Sequence, residues 1–155
     1  MRKIDIELYY QERGCGEPFI LLHGNDEDSS CFKYQIDYFQ SKYRVIYLDT
    51  RSHGKSPRGY LPFTIVQFSC DLYEFMKMHH ISNAVILGFS DRANIAMKFA
   101  MKHSDMVKAL ILNGGNLNPK GVKRATQIPI EIGYKIARKF AEKSAEAKRM
   151  PRCLG

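Results

Sequence analysis

"GFSDRAN", Gly88 to Asn94, is the stretch that decides the fold. The residues just before it, "AVIL" (Ala84 to Leu87), form a short apolar run of the kind that makes a strand buried on both faces. The residues after it read as a helix, with Ala93, Ala96 and Ala100 on one side, small enough for close packing on a sheet. A strand, a tight turn and a helix with a serine at the apex would place the Ser90 hydroxyl at the edge of the sheet. A hydroxyl of ordinary acidity is a poor nucleophile. It becomes a useful one when it is exposed, held in a strained turn and served by a base. The sequence therefore predicts a positive or otherwise strained φ at Ser90. Arg92 disturbs the pattern, because it stands where such turns carry a small residue. The expectation is that its side chain swings outward or pushes the helix away, and a shift of about 1 Å can cost ~10²-fold in rate.

Working outward, strands and helices alternate. Ile4 to Gln11 reads as a strand, and "RGCGEP" (Arg13 to Pro18) as a turn. "FILLHG" (Phe19 to Gly24), "RVIYLD" (Arg44 to Asp49) and "VKALILN" (Val107 to Asn113) read, like "AVILG", as buried strands. Ser29 or Ser30 is placed to cap a helix to about Phe39. Thr64 is placed to cap another to about Met78, with Ile65, Phe68, Leu72 and Phe75 as its apolar face. A last helix is expected over about Thr126 to Arg149, with an apolar stripe of Ile132, Ile136 and Phe140. This alternation predicts an α/β fold, a mostly parallel sheet with helices on both faces.

The chain has 155 residues, 45% of them hydrophobic and 26% charged, which excludes a disordered protein. No apolar run is long enough to span a membrane. The start, "MRKIDIELYY", lacks an apolar signal core, so a cytoplasmic protein is expected. Cys15, Cys31, Cys70 and Cys153 have no metal-ligand spacing and read as free thiols. The charge of +8 is uneven: residues 1–118 hold 14 Lys/Arg against 13 Asp/Glu, and residues 119–155 hold 10 against 3. A basic tail can bind nucleic acid, but the base-stacking and groove-reading signals are missing, and a solvated helix face is the simpler reading.

In a parallel sheet, ligands bind beyond the carboxyl ends of the strands. Three loops at that edge draw notice: "HGN" (His23, Gly24, Asn25), "DTRSHGKS" (Asp49 to Ser56) and "GFSDR" (Gly88 to Arg92). Each alone is weak, but their order, each directly after a buried strand, is a strong signal. Together they resemble the α/β-hydrolase superfamily of serine hydrolases. "GFSDR" is similar to its nucleophile elbow G-x-S-x-G, and "DTRSHGKS" to its D-x-R-G-H-G-x-S loop. The resemblance implies that Ser90 is the nucleophile and that the amides of Asn25 and Asp91 form the oxyanion hole. His23, Gly24, Asp49, Arg51, His53, Gly54 and Gly88 complete the motif loops, and Gly24 would let the backbone approach a substrate. It also implies a carboxylesterase-like activity on a small-molecule acyl substrate, with no metal or organic cofactor. Each residue has a plainer reading: Ser90 as a helix cap, Asn25 as a turn residue, His53 as structural support. His79 and His80 close a helix, and His103 belongs to the opposite edge of the sheet.

The chain departs from the resemblance at Ser52, where the pattern has glycine, at Arg92, and in its triad. No Asp or Glu lies between Asp105 and Glu131, and no histidine follows His103. A substitute dyad would have to use His23 or His53 with Asp49, and a Ser–Lys pair would have to use Lys55. The expectation is a C-terminally incomplete hydrolase core over residues 1–121 and a basic helical segment over 122–155 at the cap position. Alone, such a chain would be weak or inactive. The alternative is a non-catalytic binding or interaction protein on the same partial fold. A sheet edge left open at Val107 to Asn113 would favour a homodimer, joined there or through the final helix.

Overall fold

The computed structural model describes residues 5–116. The expected helix over 126–149, its apolar stripe, Cys153 and the 122–155 segment lie outside the described residues, as do the last residues of the expected 1–121 core.

Five strands make one sheet: β1 (Tyr10–Arg13), β2 (Glu17–Leu22), β3 (Tyr43–Leu48), β4 (Ala84–Phe89) and β5 (Val107–Asn113), in the order β1-β3-β2-β4-β5. β2 pairs in parallel with β3 and β4, and β4 with β5, while β1 runs antiparallel to β3. Helix α1 (Lys33–Phe39), entered through a 3-10 turn at Ser29–Phe32, covers one face. Helices α2 (Ile65–Met78) and α3 (Asp91–Lys102) belong to the other. Side chains alternate along each strand and so feed two cores. Ile20, Leu22, Ile46, Leu48, Ala84 and Ile86 meet Phe68, Leu72 and Phe75 of α2 and Ile95, Ala96 and Phe99 of α3. Phe19, Leu21, Val45 and Tyr47 meet Phe32 and Ile36. Each of the buried Val, Leu, Ile and Phe side chains contributes about 1.5–3 kcal/mol. No helix among the described residues is long and apolar enough to cross a membrane.

Several expectations change in detail. The first strand begins later than Ile4. Leu8 is buried and Ile6 packs against the α2 side of the core. The alternation there therefore reflects packing, and strand pairing starts only at Tyr10. The 3-10 turn is capped by Asp28, whose carboxylate accepts from the Ser30 amide at 2.8 Å, and not by a serine. Thr64 caps α2 as expected, accepting from Gln67 N at 3.2 Å. Ile65 is exposed in the first turn, and Met76 takes its place in the core. β5 is an edge strand among the described residues, and its Ile111 and Leu112 are more than 40% exposed, so it is not buried.

Candidate active site

Ser90 follows β4 directly and stands just before α3. Its backbone has φ +57° and ψ −128°, a region that side chains other than glycine avoid at about 1–3 kcal/mol. The turn is held from outside: Ser90 N donates to the Asn113 carbonyl at 2.7 Å, tying the elbow to the end of β5. Gly88 makes the turn possible, since a Cβ there would lie 2.6 Å from the Ala93 Cα. The Ser90 hydroxyl does not cap α3 and has no hydrogen-bond partner among the described residues. The plain reading of Ser90 as a helix cap therefore does not apply.

Asn25 lies in the loop after β2, and the amides of Asn25 and Asp91 have no acceptor among the described residues. Gly24 has a reason within the chain to be small. A Cβ there would sit 2.9 Å from the Phe89 ring and 2.7 Å from the Glu27 carboxylate, which accepts from Gly24 N at 3.0 Å. His23 is fully buried. Thr50 N donates to its Nε2 at 3.0 Å, so Nδ1 carries the proton and donates to the Gly24 carbonyl at 2.7 Å. Burial pushes the His23 imidazole below its ordinary pKa, opposed in part by that carbonyl bond.

The loop after β3 is a scaffold tied to the elements around it. Asp49 is buried and both its oxygens are engaged, Oδ1 by Ser29 N at 2.9 Å and Oδ2 by Lys55 N at 2.8 Å. Gly54, at φ +49°, is needed because any Cβ there would strike the Asp49 carboxylate. Arg51 is fully buried and spends all five donors, in contacts with Asp71, Asp5 and the Arg58 carbonyl at 2.6–3.0 Å. Bonds to Asp71 and Asp5 push the Arg51 pKa up. The Arg51 guanidinium in turn holds the Asp5 carboxyl well below the usual carboxylate range. Asp49 and Arg51 are thus fully engaged in holding this loop. Ser52 adopts φ +65°, which explains why the pattern has glycine there.

Arg92 overturns the expectation of an outward swing. Its side chain turns inward and is 3% exposed, and α3 keeps its close approach to β4 at Gly88. Nε and Nη2 donate to Thr50 Oγ1 at 3.3 and 3.1 Å. Nη1 donates to Asn25 Oδ1 at 3.2 Å and to Asp91 Oδ2 at 3.1 Å. The guanidinium lies over the Phe68 ring, 5.2 Å from its centroid. Burial pushes the Arg92 pKa down, and the carboxylates of Asp91 and Asp26 pull it back. His53 Nδ1 lies 2.9 Å from the Arg51 carbonyl and must donate to it, which leaves Nε2 to accept from Arg92 Nη2 at 2.9 Å. His53 also stacks on Phe63. Both nitrogens of both histidines at this edge are therefore occupied. The substitute dyads with Asp49 are closed, and the Lys55 Nζ is directed to Tyr9 instead.

The sequence reading missed Thr50, Asp5 and Asp71. Thr50 Oγ1 receives Arg92 and leaves its own proton for His23 Nε2, 3.1 Å away. Only one signal was available in advance: a buried arginine must find acceptors somewhere in the fold.

Comparison with known proteins agrees with this geometry. The family described as the alpha/beta hydrolase fold matches residues 17–150. A putative non-heme chloroperoxidase of Synechocystis sp. is 28% identical over 130 residues, 77% of this chain and 47% of the relative. The 2-hydroxy-6-oxo-6-(2'-aminophenyl)hexa-2,4-dienoic acid hydrolase of Metapseudomonas resinovorans is 30% identical over 113 residues, 70% of this chain and 39% of the relative. Among solved structures, an esterase from Exiguobacterium antarcticum superposes with a TM-score of 0.67 at 30% identity, over 71% of this chain and 42% of that one. The chain thus spans less than half the length of these relatives.

Proposed function

The chain belongs to the α/β-hydrolase family, and on that premise we propose that Ser90 is the nucleophile of a hydrolase acting on an ester or related acyl bond. One observation carries the reading: Ser90 is held at φ +57°, at the carboxyl edge of the sheet, with its hydroxyl unbonded among the described residues. A serine held in strained backbone without capping its helix costs stability, and catalysis is a reason to retain it. The amides of Asn25 and Asp91 are the donors for the oxyanion that forms when Ser90 Oγ adds to the acyl carbon. The esterases among the similar structures support an ester as the bond attacked.

The base is the weak point. No histidine follows His103 in this sequence, and His23 and His53 have no free ring nitrogen. On its own the chain of 155 residues is therefore weak or inactive, since a serine without its base keeps only oxyanion and binding effects. A fluorophosphonate probe tests this. Ser90 Oγ adds to phosphorus, fluoride leaves, and the hydroxyl proton needs an acceptor. Labelling is expected to be slow in plain buffer, to rise when imidazole is supplied as the base, and to vanish in Ser90→Ala. The occupied histidines also favour a second reading, a non-catalytic binding protein on the same fold. Absence of Ser90 labelling with and without imidazole would decide for it.

A further inference from the structure

Arg92 is the residue the family pattern leaves unexplained, and its contacts assign it a task. Its Nη1 group donates to the side chains of Asn25, at 3.2 Å, and Asp91, at 3.1 Å. These are the two residues whose amides face the developing oxyanion in the reading of Ser90 given above. We propose that Arg92 is a positioning residue for the oxyanion hole, a bridge that sets the spacing of its two donors from one rigid side chain. The inference rests on that reading of Ser90.

The guanidinium can set a spacing because it cannot itself move. It is planar, so fixing two of its nitrogens fixes the third. Nε and Nη2 are fixed by Thr50 Oγ1, Nη2 also by His53, and the guanidinium carbon lies 5.2 Å from the centroid of the Phe68 ring. Nη1 is thereby aimed at the gap between the β2 loop and the elbow. The elbow side of that gap is rigid, anchored by Gly88 against Ala93 and by Ser90 N on Asn113. The other side is an exposed loop. Asn25 itself is exposed, Asp26 adopts φ +59°, and among the described residues Asn25 has no other side-chain hydrogen bond. Arg92 is therefore the side-chain tie between Asn25 and the elbow. A lysine would fill similar space and keep the charge, but it is a single point donor and cannot hold Thr50 while bridging two acceptors. That difference separates positioning from simple packing.

The test uses the full chain with imidazole present and measures fluorophosphonate labelling over a range of probe concentrations, which separates the bound-state rate from probe affinity. Arg92→Met is expected to lower the bound-state rate by up to about 10²-fold with affinity unchanged, because the phosphoryl oxygen loses an aligned donor. Arg92→Lys should recover part of that loss. An unchanged rate in Arg92→Met, or a loss wholly in affinity, would overturn the proposal. Nuclear magnetic resonance of the unlabelled chain supplies a readout that needs no reactivity. The backbone amides of Asn25 and Asp91 should both shift in Arg92→Met, with Asn25 gaining fast motion, while core amides such as Leu72 stay in place. If Asn25 does not respond, the bridge does not exist. Should Arg92→Met fail to fold, Arg92→Lys carries both measurements, with an intermediate rate and a shifted Asn25 amide expected. A chain that never labels Ser90 yet shows the coupled amide shifts would refute the nucleophile while leaving the bridge in place.

Discussion

Arg51 and Arg92 are both buried at the carboxyl edge of the sheet, and they are satisfied in opposite ways. Arg51 faces two carboxylates, Asp5 and Asp71, with side-chain exposures of 0% and 7%. Charge is cancelled by charge and every donor is bonded. Arg92 has one carboxylate partner, Asp91, which is 44% exposed, and otherwise neutral acceptors in Thr50, Asn25 and His53. The first arrangement closes a loop and fastens it to α2 and to the segment before β1. The second leaves a charge only partly compensated at the junction of three loops. Arg51 is answered by charge and Arg92 mostly by neutral groups.

The largest effect should come from breaking the scaffold. Arg51→Met strands two buried carboxylates and should cost about 3–5 kcal/mol in urea unfolding. A cost below about 1 kcal/mol would mean that the cluster is not closed to water. Acid probes the same cluster. The Asp5 carboxyl is lowered in the folded state, so as pH falls the unfolded chain takes up the proton first. The contribution of the cluster is present above about pH 4, the unfolded carboxylate range, and should be lost as pH drops through that range toward the lowered folded value. In Arg51→Met this part of the acid dependence should disappear.

Arg92→Met should be much milder, no more than about 1 kcal/mol, because removing a partly compensated buried charge also removes its desolvation penalty. A loss equal to that of Arg51→Met would erase the distinction between the two sites. The smallest effect belongs to Ser52→Gly. It relieves a left-handed backbone in the Arg51 loop and should raise stability by about 0.5–1 kcal/mol at the thermal midpoint. It should leave Ser90 labelling untouched.

Much of the fold was legible because its signals are local. "FILL", "RVIYL" and "AVIL" are continuous apolar runs, and such runs become buried parallel strands wherever helices cover both faces. Thr64 marked the start of α2 because a cap needs only the amide three residues on. Ser90 was legible for the same reason, since glycine, serine and small residues at fixed offsets force one turn. The first strand was misplaced because Ile6 and Leu8 alternate as a strand would, yet they serve packing while Asp5 serves Arg51.

The sequence by itself determined the order of strands and helices, the elbow at Ser90 and the edge of the sheet on which chemistry could take place. Tertiary structure alone decided what the polar residues of that edge do. Arg92 turned inward because Thr50 lies 42 residues away and Asn25 67 residues away in the chain, and both come to rest beside it. His53 lost its basic nitrogen to an arginine 39 residues away, and Arg51 found Asp5 at a separation of 46. Backbone preference and hydrophobic period act over a few residues and can be read along a chain. A buried charge must be answered by whatever group the fold delivers to it, and that group has no fixed distance in sequence.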